Sequence, residues 1–463
     1  MSLIFLTRKA GPQVVLNPKN YGAKGNGTTN DTAAFQACIN DAFARHLSIA
    51  VPAGTYLADV TWKERVNGQG HAQADTWIKG RVKPASFSTL SDLKMGRAGH
   101  IAWGWTNSDG AVVTHDAILR RCRFTGGPTW GTGGEFAVLQ LAGACFTAYD
   151  LLFEDCVIEK STNRCNGVLL EYYGLDDATY HNLLCNIEFL RLAIEGATRI
   201  AWELTVPDAG TALHPIVAPY HDIDLIDYDI LGSDNSAVSY CGRPSGAADA
   251  GLYEMGHGII RGRVRDAAIV GTGGVGNHGI ELNGVAYMDV NHNLIQGTHQ
   301  RTMLCTSAGT TRPLQNTHNS ITDNTFDGTL SPLSAMDIGG GGLTYSRNVA
   351  KTRAGNSTMI RRCQESVFEA DDFRAVNADG TLSTTHQAVC ILNTDHLTLR
   401  STFFRSKFSR TVELTDNWGS GPTKAATDIA FVNDTFVKDP TDARILVGAN
   451  CTKTEVGSVD QTA

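Results

Sequence analysis

A repeat constrains this chain more than anything else in it. A short apolar-x-apolar unit that bends and ends on one more apolar residue recurs eleven times. Examples are LLFEDCVI (Leu151–Ile158), IDLIDYDI (Ile223–Ile230), MDVNHNLI (Met288–Ile295), NSITDNTF (Asn319–Phe326), LTLRSTFF (Leu397–Phe404) and IAFVNDTF (Ile429–Phe436). Successive units start about 23 to 36 residues apart, which suits one coil of a solenoid. Each is followed by a second short strand, such as Ala137-Val138, Gly167-Val168, Gly279-Ile280 or Thr411-Val412. Two strands per coil in a fixed order argue for parallel stacking. A propeller would need antiparallel four-stranded blades and more two-residue hairpin turns than occur here. Asn291, Asn293, Asn324 and Asn433 at the bends fit turns that use left-handed backbone.

The composition agrees. The 463 residues include 48 glycines and only 13 prolines, and 42% of them are hydrophobic, which suits many short strands joined by tight turns. Net charge is −8 with no Lys/Arg-rich block, so a nucleic-acid partner is not expected. The eleven cysteines are scattered without a C-x2-C pair; no zinc site is expected, and those at apolar repeat positions, such as Cys122 and Cys156, read as small buried hydrophobes in a reducing compartment. Neither a secretory signal nor an apolar stretch long enough to insert in a membrane appears. Synthesis in the cytosol is expected, with an extracellular site of action.

Residues 17–80 are read as an N-terminal cap and first coils, 1–16 as an extension that would serve as an anchor, 81–450 as the solenoid, and 451–463 as a tail. In the cap, Asn30 and Asp31 are N-cap candidates, and Phe35, Cys38, Ile39, Ala42 and Phe43 fall on one helical face. The run YGAKGNGTTNDTAAFQ…VPAGTY, with Gly68-Gln69-Gly70 and Thr76-Trp77-Ile78, resembles the N-terminal signature of the pectate-lyase-like β-helix superfamily. That superfamily includes phage tailspikes, polygalacturonases, certain glucanases and polysaccharide epimerases. The resemblance implies an all-β, right-handed, single-stranded parallel β-helix with an N-terminal capping α-helix.

Such a fold places carboxylates of equivalent position about 4.8 Å apart per coil. Two carboxylates flanking a glycosidic bond serve retention at about 5–5.5 Å and inversion at about 6.5–9.5 Å. At the residue after the apolar start of each second strand, most positions are apolar or small: Leu139, Leu169, Ala201, Ser239, Leu304, Ile360, Cys390 and Leu446. Glu281, Asp337 and Glu413 are the exceptions. Glu281 and Asp337 fall two coils apart, roughly 9–10 Å, if Ile280 rather than Ile269 is the stacked residue. Glu171 and Glu203 are expected on adjacent coils, about 5 Å apart, with Tyr172, Tyr173 and Trp202 as sugar-stacking neighbours. His257 and His278 follow glycine-rich turns and are further substrate-binding candidates. Insertions at Leu175–His181, Val206–His221, Ser245–Glu254 and Arg374–His386 are expected to form loops on one face.

Compared with the superfamily, Asn393-Thr394-Asp395 and Gly256-His257-Gly258 resemble polygalacturonase motifs but stand in the wrong order. The epimerase Asp-Pro-His tetrad and the calcium-binding nonapeptides are absent. Asp222, Asp224, Asp227 and Asp229 are dense enough for Ca2+, but their alternation fits a polar strand face equally well. No cofactor or metal motif is present; Ca2+ is compatible with the fold but indicated by nothing. Three readings stay open. The first is a phage or prophage tailspike-like protein, a homotrimer by resemblance and a partner of other tail or particle proteins, that binds and degrades a bacterial surface polysaccharide by hydrolysis or lyase chemistry. The second is a bacterial lyase, hydrolase or epimerase outside any virion. The third is a non-catalytic β-helix serving structure or receptor binding.

Overall fold

The computed structural model describes residues 15–462 except 107–108, 110–111, 130–135, 142–145, 162, 172–183, 206–220, 242–255, 266–277, 298–299, 306–317, 331–334, 354–357 and 416–424. The chain winds as a right-handed parallel β-helix with three sheets, of 16, 16 and 14 strands. Each coil visits the first, second and third sheet in turn, and every strand pairs with its equivalents one coil away.

The bent unit legible in the sequence is two strands on two sheets. Phe146–Glu154 lies in the first sheet and Val157–Ile158 in the second, with Asp155 at φ 54 turning the corner between them. Left-handed backbone costs a residue with a Cβ roughly 1–2 kcal/mol, yet non-glycine residues hold this corner through most of the helix. Their side chains make up part of that cost by alternating in sign. Arg121 is forked onto Asp92, Arg191 onto Asp155, Arg261 onto Asp227 and Arg347 onto Asp323, all eight at positive φ.

Just past this corner a second, buried ladder runs inside the helix. The backbone N–H of Asn293 donates to Asn324 Oδ1, that of Asn324 to Asn348 Oδ1, and that of Asn348 to Asp371 Oδ1, at 2.8–2.9 Å. Asn293 and Asn324 therefore sit one position beyond the left-handed residues, His292 and Asp323, rather than at them. Asn433 does adopt φ 54.

The helix Thr32–Arg45 buries Phe35, Cys38, Ile39 and Ala42 over the first coil. Phe43, expected on that face, is instead 44% exposed. Asp31 occupies the N-cap position, but its carboxylate accepts from the N–H groups of Lys24 and Gly25 (2.7 and 3.0 Å). Asn30 supplies the oxygen for Thr32 N. At the other end, residues expected as a tail form Lys453–Val456 and Val459–Thr462, paired with Ile429–Val432 and Thr435–Lys438. Among the described residues every cysteine is free, and eight of ten are buried.

Candidate functional site

The third sheet carries the candidate site. Its pairing aligns one row across the coils: Gln140, Leu169, Glu203, Ser239, Glu281, Leu304, Asp337, Met359, Cys390 and Glu413. Ile280 pairs with Val238 and Met303, so it is the stacked residue and the separation of Glu281 from Asp337 by two coils holds.

The other expected pair does not form. Glu171 lies opposite Thr205, while Glu203 lies opposite Leu169 and enters the row of Glu281. The strand Trp202–Thr205 is registered so that Ala201 precedes it and Glu203, two residues later, takes the row position. Trp202 consequently points into the core, fully buried against Phe189 and Tyr240, and cannot offer a ring face to a sugar. Row positions read as Leu139 and Ile360 belong to Gln140 and Met359 for the same reason, since a slip of one residue exchanges the faces of a strand.

His257 and His278 are buried rather than exposed at turns. His257 Nδ1 accepts from the N–H of Ile223 at 2.9 Å, and its ring lies beside Tyr240. His278 begins the strand His278–Asn283, with its carbonyl bonded to Ala237 N. Tyr172 and Tyr173 lie outside the described residues, as do most of the first three insertions. Those three follow third-sheet strands, but Arg374–His386 spans the passage from second to third sheet, where Val376 bridges Leu382 in a tight turn.

The four row carboxylates share one construction. Each meets a polar side chain from the preceding coil, three residues ahead of its paired position, and three of the four accept a hydrogen bond from it. Asn166 Nδ2 serves Glu203, the Ser236 hydroxyl serves Glu281 at 2.6 Å, Arg301 approaches Asp337 to 3.9 Å, and Gln387 Nε2 serves Glu413 at 3.0 Å. Three also have an arginine: Arg199 on Glu203 (2.9 Å), Arg361 forked onto both oxygens of Asp337, and Arg410 on Glu413 (3.0 Å). Among the described residues Glu281 accepts only from hydroxyls, Ser236 and, at 3.4 Å, Ser239. Burial pushes its carboxyl above the usual carboxylate range, reinforced by the charge of Glu203 and opposed by Ser236.

Accessibility separates the candidates. Asp337 is fully buried with both oxygens held by Arg361; burial raises its pKa while Arg361 and Arg301 oppose the rise. Glu203 and Glu281 are each held through Oε2 alone, which leaves Oε1 of both uncommitted among the described residues. They are two strand spacings apart, roughly 9–10 Å between backbones.

A second acidic row lies on the first sheet and includes Asp224 of the aspartate cluster weighed above for Ca2+. Glu188 pairs with Asp224, and Asp224 Oδ1 accepts from Gly258 N at 2.6 Å. Burial, with Asp222, Glu188 and Asp289 nearby, raises the pKa of Asp224. Among the described residues no group of three or more His, Cys, Asp or Glu side chains is placed to hold a metal ion.

Residues 15–109 match the family described as rhamnogalacturonase A/epimerase, pectate lyase-like. That segment is pectate-lyase-like. No curated protein matches the chain in sequence. Among solved structures, the chain is similar to the pre-mature gene product 12 of bacteriophage phi29, with TM-score 0.51 and 12% identity over 96% of this chain and 57% of that one. It is also similar to the Dettilon tailspike protein (TM-score 0.39, 11% identity, 94% and 68% covered). A third similarity is to the A-module of the Azotobacter vinelandii mannuronan C-5 epimerase AlgE6 (0.30, 13%, 97% and 100%). At these identities the likeness is one of fold, and chemistry has to be argued from the third sheet itself.

Proposed function

We propose that the third-sheet face binds and hydrolyses a bacterial surface polysaccharide, with Glu281 as proton donor and Glu203 as the carboxylate that activates water. The observation that carries this reading is the unequal environment of two carboxyls on one row. Among the described residues Glu281 is partly buried with hydroxyl partners only, and Glu203, itself buried, is paired with Arg199 and Asn166. A carboxyl raised by burial keeps its proton to higher pH than an exposed one and can give it to a leaving glycosidic oxygen. The second carboxylate can take a proton from water. Backbones roughly 9–10 Å apart let the carboxyls approach the 6.5–9.5 Å typical of inversion, with room for one water between them.

The proposed setting is a phage or prophage particle, to which the protein would attach as a homotrimer through other tail proteins and so act outside the cell. A light-scattering mass three times that of the chain supports this, and a monomer at working concentration removes it. The reaction is tested by incubating the protein with capsular and O-antigen polysaccharides while following both new reducing ends and the absorbance of unsaturated uronates. Reducing ends without that absorbance are expected. Absorbance would replace the two-carboxylate mechanism with β-elimination, and retention of a polymer without cleavage would leave a binding protein.

A further inference from the structure

The end of the row beyond Glu281 carries more positive charge than its acids neutralise. Arg361 is forked onto Asp337, which satisfies both oxygens of that buried carboxylate. Arg301 stands 3.9 Å from the same carboxylate but makes no side-chain hydrogen bond among the described residues, and its Nε is buried. Two guanidiniums thus share one carboxylate, and Arg362 follows directly, acting on both Arg361 and Asp337. Elsewhere on the row, among the described residues, Glu203 has only Arg199 and Glu413 only Arg410 as hydrogen-bonded cations.

The position of this surplus matters. Arg301 pairs with His278 at the start of the strand that carries Glu281, so it belongs to the very next coil. The side chains of Arg301 and Arg361 keep about a quarter of their surface in solvent (26% and 28%) while Asp337 beneath them has none. A sealed carboxylate holds one fork in place, and the second is left partly exposed, with a buried Nε that has no hydrogen-bond partner among the described residues. Planar guanidinium forks with unused donors select carboxylate, sulfate or phosphate oxygens.

We propose that Arg301, steadied together with Arg361 over Asp337, binds an anionic substituent of the polysaccharide, so that the polymer taken by the Glu281 site is acidic. This rests on the reading of the third sheet as the polysaccharide face. It places the charged sugar one to two strand spacings, roughly 5–10 Å, from the proton donor along the coil axis, so the anion is recognised on the same face as the bond that breaks.

The test measures binding alone, in a Glu281→Gln background that does not turn over. Polygalacturonate, alginate and hyaluronate are titrated calorimetrically, each beside its methyl-esterified form, which differs only in charge. At least one acid form should bind roughly tenfold tighter than its ester, and the preference should weaken as NaCl rises. Arg301→Gln should abolish the preference while the protein stays folded, because its side chain holds no hydrogen bond among the described residues and Arg361 already engages both oxygens of Asp337. Arg361→Lys, which keeps the charge over Asp337, should retain most of it. Equal binding of acid and ester, binding of none of the six polymers, or a preference that survives Arg301→Gln overturns the proposal. Loss of the catalytic role of Glu281 in separate turnover assays, with the charge preference intact, would instead overturn the hydrolytic reading alone.

Discussion

Glu281→Gln lowers polysaccharide cleavage by about two to four orders of magnitude and leaves the fold intact. Glutamine keeps an oxygen for the hydroxyls of Ser236 and Ser239 but has no proton to give at neutral pH. Glu203→Gln should lose activity on the same scale. Glu413→Gln is the control: it removes a carboxylate of the same row that Arg410 and Gln387 hold far along the helix, and cleavage should persist. The pH profile carries a second readout. Because burial raises the pKa of Glu281, the acid keeps its proton to higher pH than an exposed glutamate, and activity falls as pH rises through that pKa. A hydroxyl donating to a carboxylate favours its ionised form. Removing the Ser236 hydroxyl therefore raises the pKa further, and Ser236→Ala should move the alkaline limb to higher pH. Wild-type rates in Glu281→Gln, or an alkaline limb that Ser236→Ala does not move, would take Glu281 out of the mechanism.

Much of this site was legible before the fold was known, because parallel stacking turns sequence spacing into distance. Glu281 and Asp337 could be placed on one row since each directly follows an apolar residue, Ile280 or Met336, and both of these pair with Met303, the register shift in between falling before it, between Arg301 and Met303. Glu203 was misplaced because its strand opens with Trp202 after Ile200-Ala201, and either apolar residue could have been the inward one. A side-chain period of two leaves no margin there: the wrong choice sends Trp202 to solvent and Glu203 off the row. A local sign was available in the spacing of Arg199 and Glu203, which Arg410 and Glu413 nearly repeat. The donors from the preceding coil, Asn166, Ser236 and Gln387, were out of reach, because each lies 26 to 45 residues from its partner and means nothing until the coil length is known residue by residue. The second sheet, separate from the first, was hidden for a different reason. A corner made by one left-handed residue looks, in sequence, like a bend in a single strand.

The inner ladder leads to the second large expectation, which concerns stability. Asparagines can occupy this ladder because their Nδ2 donates to a first-sheet carbonyl of the preceding coil: Ile259 for Asn293, Val290 for Asn324 and Ile321 for Asn348. Asp371 and Asp434 occupy equivalent places with an oxygen where the amide nitrogen would be. In register, the carbonyls facing those oxygens are Tyr345 and Leu399. Both side chains are fully buried, and their Oδ2 atoms have no donor among the described residues. A carboxylate there would set negative charge against a carbonyl, whereas a protonated carboxyl can donate as asparagine does. Burial accordingly raises Asp371 well above the usual range and Asp434 to about 7. The folded state holds the Asp434 proton more tightly than the unfolded chain does. This contribution is therefore complete below about pH 4, declines as pH rises toward 7, and is lost above it. Asp434→Asn restores the donor at every pH. It should raise stability by roughly 4 kcal/mol at pH 8 and by little at pH 4, read as a shift in urea midpoint that grows with pH across that window. A constant difference between the two proteins from pH 4 to 8 would mean that Asp434 is ionised in the folded helix and that its neutral form does not hold the ladder together.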